Sequence, residues 1–152
     1  MNIEDVPANA NLIRYFKNRA KQYNYVSTTE PRGTHPDLAT RLWDELGKLL
    51  PEDCHAVVHG APVLVRKCSG IVFAFAGGTH TYAFRLPPEV HKAAWAAGAT
   101  RVYHYRAYPE LKIDAATFDL TEIGDEWVFG GWLTGEEEWI QAAYDFAATT
   151  EL

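Results

Sequence analysis

Residues 62–86 constrain the fold of this chain more than any other stretch. Their sequence, PVLVRKCSGIVFAFAGGTHTYAFRL, alternates large apolar side chains with smaller or polar ones and contains two glycine-bearing turn signals. Alternation with a period of two predicts β-strands, and glycine turns between such runs predict tight hairpins. The stretch therefore predicts an antiparallel β-meander at the centre of the fold.

The second turn signal predicts the register of the last hairpin. If Gly77 and Gly78 form a two-residue loop, paired residue numbers sum to 155 and Phe73 faces Tyr82. The hairpin then carries bulky aromatic residues on one face and small residues on the other. We therefore expect different helices to cover the two faces.

The first turn signal leaves two registers open. A three-residue loop, 68–70, with Gly70 in the left-handed conformation pairs Val63 with Phe75. A two-residue loop, 69–70, shifts the pairing by one residue. We favour the three-residue loop, because a slip of one residue moves every side chain to the other face of the sheet.

Four segments have apolar residues at helical spacing and are predicted to be helices: 8–23, 36–50, 88–97 and 135–148. Pro36 suits the first turn of the second helix, and Thr34 or His35 can cap it. The leucine stripe of this helix, or the closing helix, is expected to cover the aromatic face of the meander. The alanine-rich third helix is expected to cover the small face, in contact with Ala74 and Ala83.

Further strands are predicted at 56–59, 101–108, 117–123 and 126–133. Thr134 and Glu137 have the spacing of a capping box before the closing helix. The order α-α-β-β-β-β-α-β-β-β-α predicts an α+β fold in which helices pack on an antiparallel sheet. The length fits a single domain, 1–152, with a basic N-terminal helix and loop, 1–34, and an α+β core, 36–148.

Four segments together resemble a known family. They are a helix that ends in LLPEDCHAVVHGAPVLV, a hairpin that carries GIVFAFA, a helix after RLPPE, and a closing helix of the form EEWIQAAYDFA. With this order, residues 36–148 resemble the YjbR-like family, which is related in layout to the N-terminal domain of TfoX. The resemblance implies a compact α/β fold of double-wing appearance and a role in binding. The family has no established catalytic residues, so the resemblance implies none here.

The chain is acidic as a whole, but its charge is unevenly distributed. The formal net charge is −6, yet residues 7–106 carry 13 Lys and Arg against 7 Asp and Glu, and residues 110–152 carry one Lys against 11 Asp and Glu. The first predicted helix contributes four cations, Arg14, Lys17, Arg19 and Lys21, beside an apolar set of Leu12, Ile13, Phe16 and Tyr23. Net acidity disfavours a nucleic-acid partner, and mutual neutralisation of the two halves is the simpler interpretation.

Aromatic residues indicate where a binding surface is to be sought. They make up 13% of the chain, and a core of this size need not bury all of them. Trp127 and Trp132 are five positions apart, so on one strand they point to opposite faces and one of them can line an interface. The predicted strand 101–108 and the rim of the meander supply further candidates. The candidate binding residues are Arg101, Tyr103, Tyr105, Arg106, Trp127, Trp132, His59 and His80.

One group of residues has the chemistry of metal ligands: Cys54, His55, His59 and Cys68. On a strand, the spacing of His55 and His59 separates them by about 13 Å, and the close cysteine pairs of structural zinc sites are missing. We therefore predict no metal site and no cofactor. Nucleophile-elbow, Walker and dinucleotide-binding motifs are also missing, so the sequence favours a non-catalytic protein over an enzyme.

These features lead to one functional hypothesis and two alternatives. The N-terminus does not resemble a signal peptide and no apolar run is long enough to span a bilayer, so we expect a cytoplasmic protein that is not in the membrane. The hypothesis is a small binding or regulatory domain that engages a protein partner or a second copy of itself, in the manner of an immunity or antitoxin protein. The first alternative is nucleic-acid binding through helix 8–23 and strand 101–108. The second is a small-molecule-binding protein or enzyme with a His/Cys cleft.

Overall fold

The computed structural model of the protein describes residues 3–25, 29–32, 34–77, 81–99 and 123–149. These residues form an α+β fold in which helices pack on an antiparallel sheet, as predicted. The described sheet has five strands, which lie side by side in the order in which they follow one another along the chain. The predicted strand 101–108 and most of the predicted strand 117–123 lie outside the described residues. No helix in the described part of the chain is both long and apolar enough to cross a bilayer.

The helices are α1 (Ala10–Gln22), α2 (Pro36–Thr40), α3 (Pro88–Ala96) and α4 (Glu136–Thr149), and α2 continues through a π-helical stretch (Arg41–Leu46) and a 3-10 turn (Gly47–Leu49). The strands are β1 (His55–Val58), β2 (Ala61–Arg66), β3 (Ile71–Gly77), β4 (Thr81–Arg85) and β5 (Trp127–Gly130). Two short 3-10 helices, Ile3–Asp5 and Pro7–Asn9, precede α1.

The N-terminal helix α1 contributes to the core. Its buried side chains are Leu12, Ile13, Tyr15, Phe16 and Arg19. Tyr23 was expected in the same apolar set, but it follows the helix and is 45% exposed, with its ring stacked on that of Tyr25. The burial of Arg19 was not expected, and it leaves three of the four cations of this segment on the surface.

The cap of α2 and most of its leucine stripe agree with the sequence pattern. The ring Nδ1 of His35 accepts a hydrogen bond from the backbone N–H of Asp37 at 3.1 Å. Leu49 was expected in the stripe but is 53% exposed, whereas Leu50 is buried. The π-helical stretch explains the difference, because its wider turn rotates the following residues away from the positions that α-helical spacing predicts.

Helices α3 and α4 have nearly the predicted bounds. Gly98, at φ +111°, directly follows the end of α3, as expected. The residue directly before α4 was expected to be the capping residue Thr134. It is instead Gly135, whose φ of +105° is not helical. The side chains of α4 that were expected to face inward are all buried: Trp139, Ile140, Ala143, Tyr144 and Ala147.

Apolar side chains form one cluster on each face of the sheet. The first core cluster joins the sheet to α2, its continuation, α3 and α4, and includes Leu42, Phe73, Phe84, Ala94 and Ile140. The second core cluster joins the opposite face to α1 and includes Leu12, Phe16, Val63, Phe75 and Trp127. Helices therefore cover both faces, with α2 and α4 together on one and α1 on the other.

The hairpin between β2 and β3 agrees in part with the favoured register. Val63 pairs with Phe75, and Gly70 is left-handed with a φ of +74°, both as predicted. The pairing continues to Arg66 and Ile71, so the loop has four residues rather than three. The prediction of a three-residue loop is therefore wrong, although the register farther from the turn is correct.

A β-bulge in β3 accounts for this change of register. Leu64 pairs with Ala74 and Val65 pairs with Val72, so Phe73 is an extra residue on β3. A bulge places two successive side chains on one face, and Phe73 and Ala74 both belong to the first core cluster. Simple alternation cannot reveal such a bulge, because both faces of β3 are apolar.

The predicted turn of the next hairpin is wrong. Gly77 lies within β3 and pairs with Thr81, so paired residue numbers sum to 158 and not to 155. Three residues, 78–80, therefore separate the two strands, where two were expected. Gly77 also packs closely against the buried cation Arg19. A Cβ at this position would lie 3.1 Å from Nη1 of Arg19, so the glycine makes room for the guanidinium.

This shift in register changes which residues share a face. Phe75 pairs with Ala83, and Ala74 pairs with Phe84, so each face mixes bulky and small side chains. The prediction of one aromatic and one small face is therefore wrong. Packing of the alanine-rich helix against both Ala74 and Ala83 is also excluded, because these alanines lie in different core clusters on opposite faces.

One buried side chain, Asn9, ties the segment before α1 to the bulged strand. It is 1% exposed, and its Oδ1 accepts a hydrogen bond from the N–H of Val72 at 3.0 Å. Its Nδ2 donates to the carbonyl of Gly70 at 2.8 Å and to that of Ile3 at 2.9 Å. The side-chain amide of Asn9 therefore makes the hydrogen bonds that a neighbouring strand would otherwise make to these backbone groups beside the bulge.

Replacement of Asn9 by alanine is expected to destabilise the protein by about 2–6 kcal/mol. Each buried backbone group that loses its partner costs about 1–3 kcal/mol, and the substitution leaves two such groups, at Gly70 and Val72. Urea unfolding of the purified protein measures the change. Asn11→Ala is the matched control, because Asn11 is exposed and its Oδ1 accepts a hydrogen bond from the exposed Arg14. Equal destabilisation by both substitutions would contradict the role given to Asn9.

Candidate functional site

An open cavity of about 430 Å³ lies where α3, α4 and the turn before β5 meet. This volume is in the lower part of the range of about 300–1,000 Å³ that is typical of ligand pockets. Its lining is mainly apolar, with carboxylates among the lining groups. The lining residues are Pro88, His91, Trp95, Asp125, Glu126 and Phe146.

Helix α3 supplies one wall of the cavity through its residue spacing. Pro88, His91 and Trp95 are separated by three and four positions and therefore lie on one side of the helix. Ala94, one position before Trp95, is completely buried in the first core cluster. The small side chains of α3 thus dock the helix, and Trp95 is left 41% exposed at the cavity.

His91 holds α3 against the ends of two strands. Its Nε2 lies 2.9 Å from the carbonyl oxygen of Leu86 and 3.2 Å from that of Glu126. Both neighbours are acceptors, so Nε2 carries the hydrogen and donates to them. The ring of His91 lies 5.5 Å from that of Trp95, which fixes the imidazole as part of the aromatic wall.

A buried cation, Arg85, lies beside the cavity. Its Cζ is 4.6 Å from the centroid of the Phe146 ring, and its Nη2 is 3.7 Å from Oε1 of Glu126. Burial lowers the pKa of Arg85, and the charge of Glu126 opposes that effect. One face of Phe146 and one carboxylate of the lining are therefore already used by a guanidinium of the protein itself.

The described lining of the cavity combines aromatic, carboxylate and imidazole side chains. It offers aromatic surfaces from Trp95 and Phe146, the carboxylates of Asp125 and Glu126, and an imidazole whose Nε2 hydrogen is engaged. None of these side chains is a hydroxyl or thiol nucleophile. Aromatic faces and carboxylates attract cations, so the arrangement favours a positively charged group.

A second cluster surrounds the candidate residue Trp132. The indole is 59% exposed, and Cζ of Arg41 lies 4.2 Å from its ring centroid. Trp132 has a φ of +60°, which is unfavourable for a bulky residue. Contact with the Arg41 guanidinium, and an edge contact with Tyr82 at 6.3 Å, accompany this conformation.

Beneath Trp132, Arg41 forms a buried ion pair. Its Nη2 lies 2.7 Å from Oε1 of Glu136, and the side chain of Glu136 is completely buried. Burial raises the pKa of Glu136, and the hydrogen bond and charge of Arg41 limit the rise. Arg41 also lies 5.1 Å from the centroid of the Tyr82 ring and 3.6 Å from Glu45, so this guanidinium is well occupied within the fold.

The structure places the other sequence-based candidates as follows. Trp127 is buried, with its ring 5.3 Å from that of Phe75 in the second core cluster. His59 lies in the two-residue turn between β1 and β2, at a φ of +47°, and its Nε2 contacts the carboxylate of Glu4. The remaining candidates lie outside the described residues: His80, Arg101, Tyr103, Tyr105 and Arg106.

Among the described His and Cys residues of the supposed cleft, His59 lies apart from the others, at the opposite end of the β1–β2 pair. His55 packs against the Trp43 ring at 3.8 Å, while His59 lies at the far end of β1. Cys68 follows the other end of β2 from His59, and Cys54 and Cys68 are both free thiols. Among the described residues, no group of three or more His, Cys, Asp and Glu could hold a metal ion.

Comparison with known proteins gives no match: no protein-family model, no curated protein and no solved structure matches the chain. The resemblance to the YjbR-like family therefore stays a prediction.

Neither the cavity nor the cluster in which Arg41 contacts Trp132, Tyr82 and Glu136 was predicted from the sequence. One signal of the cavity was available, namely the helical spacing of Pro88, His91 and Trp95 on one side of α3. Phe146 gave another, because it lies off the buried stripe of α4. The contributions of Arg85 and Glu126 depend on the pairing of β4 with β5, which joins distant parts of the chain.

The ion pair of Arg41 and Glu136 is expected to show strong coupling in a double-mutant cycle. Arg41→Met and Glu136→Leu should each cost about 3–5 kcal/mol, because each leaves a buried charge without its partner. The double variant should be more stable than either single variant, since it removes both charges. Urea unfolding at neutral pH measures the three differences.

Glu45→Gln provides the matched control for this cycle. Glu45 is the other carboxylate near Arg41, but its side chain is 68% exposed, so we expect a change below about 1 kcal/mol. Additive destabilisation in the double variant would contradict the buried pairing.

Thiol reactivity is expected to be confined to Cys68 in the folded protein. Cys68 is exposed, whereas burial raises the pKa of Cys54 to about 12, with further increases from Glu52 and Asp53. Because the thiolate is the reactive form, the raised pKa keeps Cys54 protonated and slow to react at neutral pH. Cys68→Ser should abolish rapid labelling by a disulfide reagent, and Cys54→Ser should leave it unchanged. Rapid labelling of native Cys68→Ser would refute this, and full labelling in urea checks that both thiols are intact.

Proposed function

We propose that the chain is a small, non-catalytic cytoplasmic binding domain whose partner is a protein, and that the partner docks around the cavity beside α3. The observation that carries this proposal is the open cavity with Trp95, 41% exposed, in its lining. Tryptophan is enriched among the residues that dominate the free energy of protein interfaces. A second copy of this chain counts as a partner in the same sense.

The contacts of the described histidines support a non-catalytic function. His35 caps α2, His55 packs on Trp43, His59 contacts Glu4, and His91 donates to two carbonyl groups. General acid–base catalysis needs a side chain positioned toward a reacting group. Each of these four imidazoles instead makes a contact that serves local structure.

Nucleic-acid binding receives less support. It was expected to use helix 8–23 and strand 101–108, and the strand lies outside the described residues. In the helix, Arg19 is buried beside Gly77 and the apolar side of α1 lies on the sheet. The exposed cations of α1 are Arg14, Lys17 and Lys21. Because affinity for a phosphate backbone depends on the number of cations that contact it, the smaller set favours a protein partner.

Loss of binding on replacement of Trp95 tests the proposal. Wild-type protein, Trp95→Ala and Leu49→Ala are immobilised, and the same native lysate is passed over each. We expect wild-type and Leu49→Ala to retain the same partner and Trp95→Ala to lose it by at least about tenfold, as expected for an interface anchor. Leu49 is the matched control, because it is a large apolar residue of similar exposure, 53%, outside the cavity lining.

Self-association is measured in parallel by sedimentation of the three purified proteins. Dimerisation that Trp95→Ala removes would identify a second copy of the chain as the partner. If nothing is retained and the chain stays monomeric, or if retention is the same for all three proteins, the proposed function is wrong.

A further inference from the structure

We propose that the cavity binds the guanidinium group of an arginine side chain presented by a protein partner. This inference rests on the proposed function and specifies the chemistry of its ligand. Four features of the cavity and its surroundings support it: two aromatic walls, two carboxylates, a suitable volume, and a guanidinium that already uses the same groups from within.

The aromatic walls suit a flat cation. Trp95 and Phe146 lie on different helices, α3 and α4, and both line the cavity. A guanidinium is planar and weakly hydrated, so it stacks on aromatic rings more readily than the ammonium group of lysine does. Tryptophan is the strongest partner among the aromatic residues for such contacts.

The carboxylates suit a positive charge with several donors. Asp125 and Glu126 line the cavity, and Glu126 lies 3.7 Å from the buried Arg85. Asp125 already interacts within the chain, but a carboxylate has about four lone-pair sites and can accept further hydrogen bonds.

Arg85 provides an internal example of the proposed binding mode. Its guanidinium lies 4.6 Å from the Phe146 ring centroid and pairs with Glu126. The ligand would repeat this combination of aromatic face and carboxylate on the open side, with Trp95 and Asp125 as additional contacts. The volume of about 430 Å³ accommodates one long side chain and leaves the peptide backbone of the partner at the surface.

Titration with a minimal probe tests the inference. The probe is N-acetyl-arginine methylamide, and the control probe is the citrulline analogue, in which a neutral urea group replaces the guanidinium. The indole N–H resonances of the ¹⁵N-labelled protein report binding. We expect the Trp95 resonance to shift with the arginine probe, and the affinity for the citrulline analogue to be lower by about tenfold or more.

Two variants test the site without disturbing the fold. Asp125→Asn keeps the shape of an exposed residue and should weaken binding of the arginine probe several-fold, because it removes one charge. Trp95→Ala should abolish binding. Leu49→Ala should bind as the wild type does, and thermal unfolding of all three variants verifies that the fold is retained.

The outcomes separate this inference from the proposed function. Arginine binding that depends on Trp95 and Asp125, together with displacement of the captured partner by excess probe, supports both. The same arginine binding with no protein captured supports the guanidinium site and contradicts the proposed function. If the cavity captures a protein but the arginine and citrulline probes bind equally or not at all, the inference is overturned and the proposed function stands. If Trp95 is covered by a second copy of the chain and excess probe leaves that dimer intact, a different ligand occupies the cavity and the inference is wrong. If neither the probe nor a protein binds there, both fail.

Discussion

Burial of the sheet on both faces is the constraint on which the rest of the structure depends. The described part of β3 is buried on both sides almost to its end, so helices must cover each face. Helix α1 covers one face, and α2 with α4 covers the other. Because no water reaches the bulged backbone of β3, a side chain must satisfy it, and Asn9 does so. The N-terminal segment is thus required by the backbone of the central strands.

The same constraint explains the uneven charge of the chain. The acidic closing helix α4 is held by three arginines from earlier elements. Arg41 pairs with Glu136, Arg66 donates to the carbonyl of Tyr144 and lies 3.9 Å from its ring centroid, and Arg85 lies against Phe146. Arginine suits these positions because it combines an ionic contact with a flat surface that packs on aromatic rings. Part of the excess of positive charge before residue 107 is therefore used inside the molecule.

The sequence predicts individual helices and strands well, but it predicts poorly how strands pair and which distant segments come into contact. The α+β class, the first four strands, the ends of α3 and the buried stripe of α4 follow from periodicity and from proline and glycine signals. Periodicity does not reveal the bulge at Phe73, because both neighbours on the strand are apolar. The Gly77-Gly78 signal misleads because a glycine that makes room for Arg19 looks the same in sequence as a glycine in a turn.

The candidate site is predictable only in fragments, for the same reason. The spacing of Pro88, His91 and Trp95 marks one face of α3, but the partners of that face come from β4, the turn before β5, and α4. Spacing along the chain carries no information about which of these elements meet. Residues such as Trp127 and Trp132 attract attention by their type, yet their environments differ: one is in the core and the other covers an ion pair.

The order of the strands has a consequence for how the molecule assembles. Each strand from β1 to β4 pairs with its neighbour in sequence across a short connection, whereas β5 reaches β4 only after residues 86–126. The entropy lost on closing a loop increases with its length, so the pairing of β5 with β4 is the most expensive closure in the described sheet. The cavity forms only when that closure is complete, because Asp125 and Glu126 immediately precede β5. We therefore expect the cavity to be among the last features that a folding chain acquires.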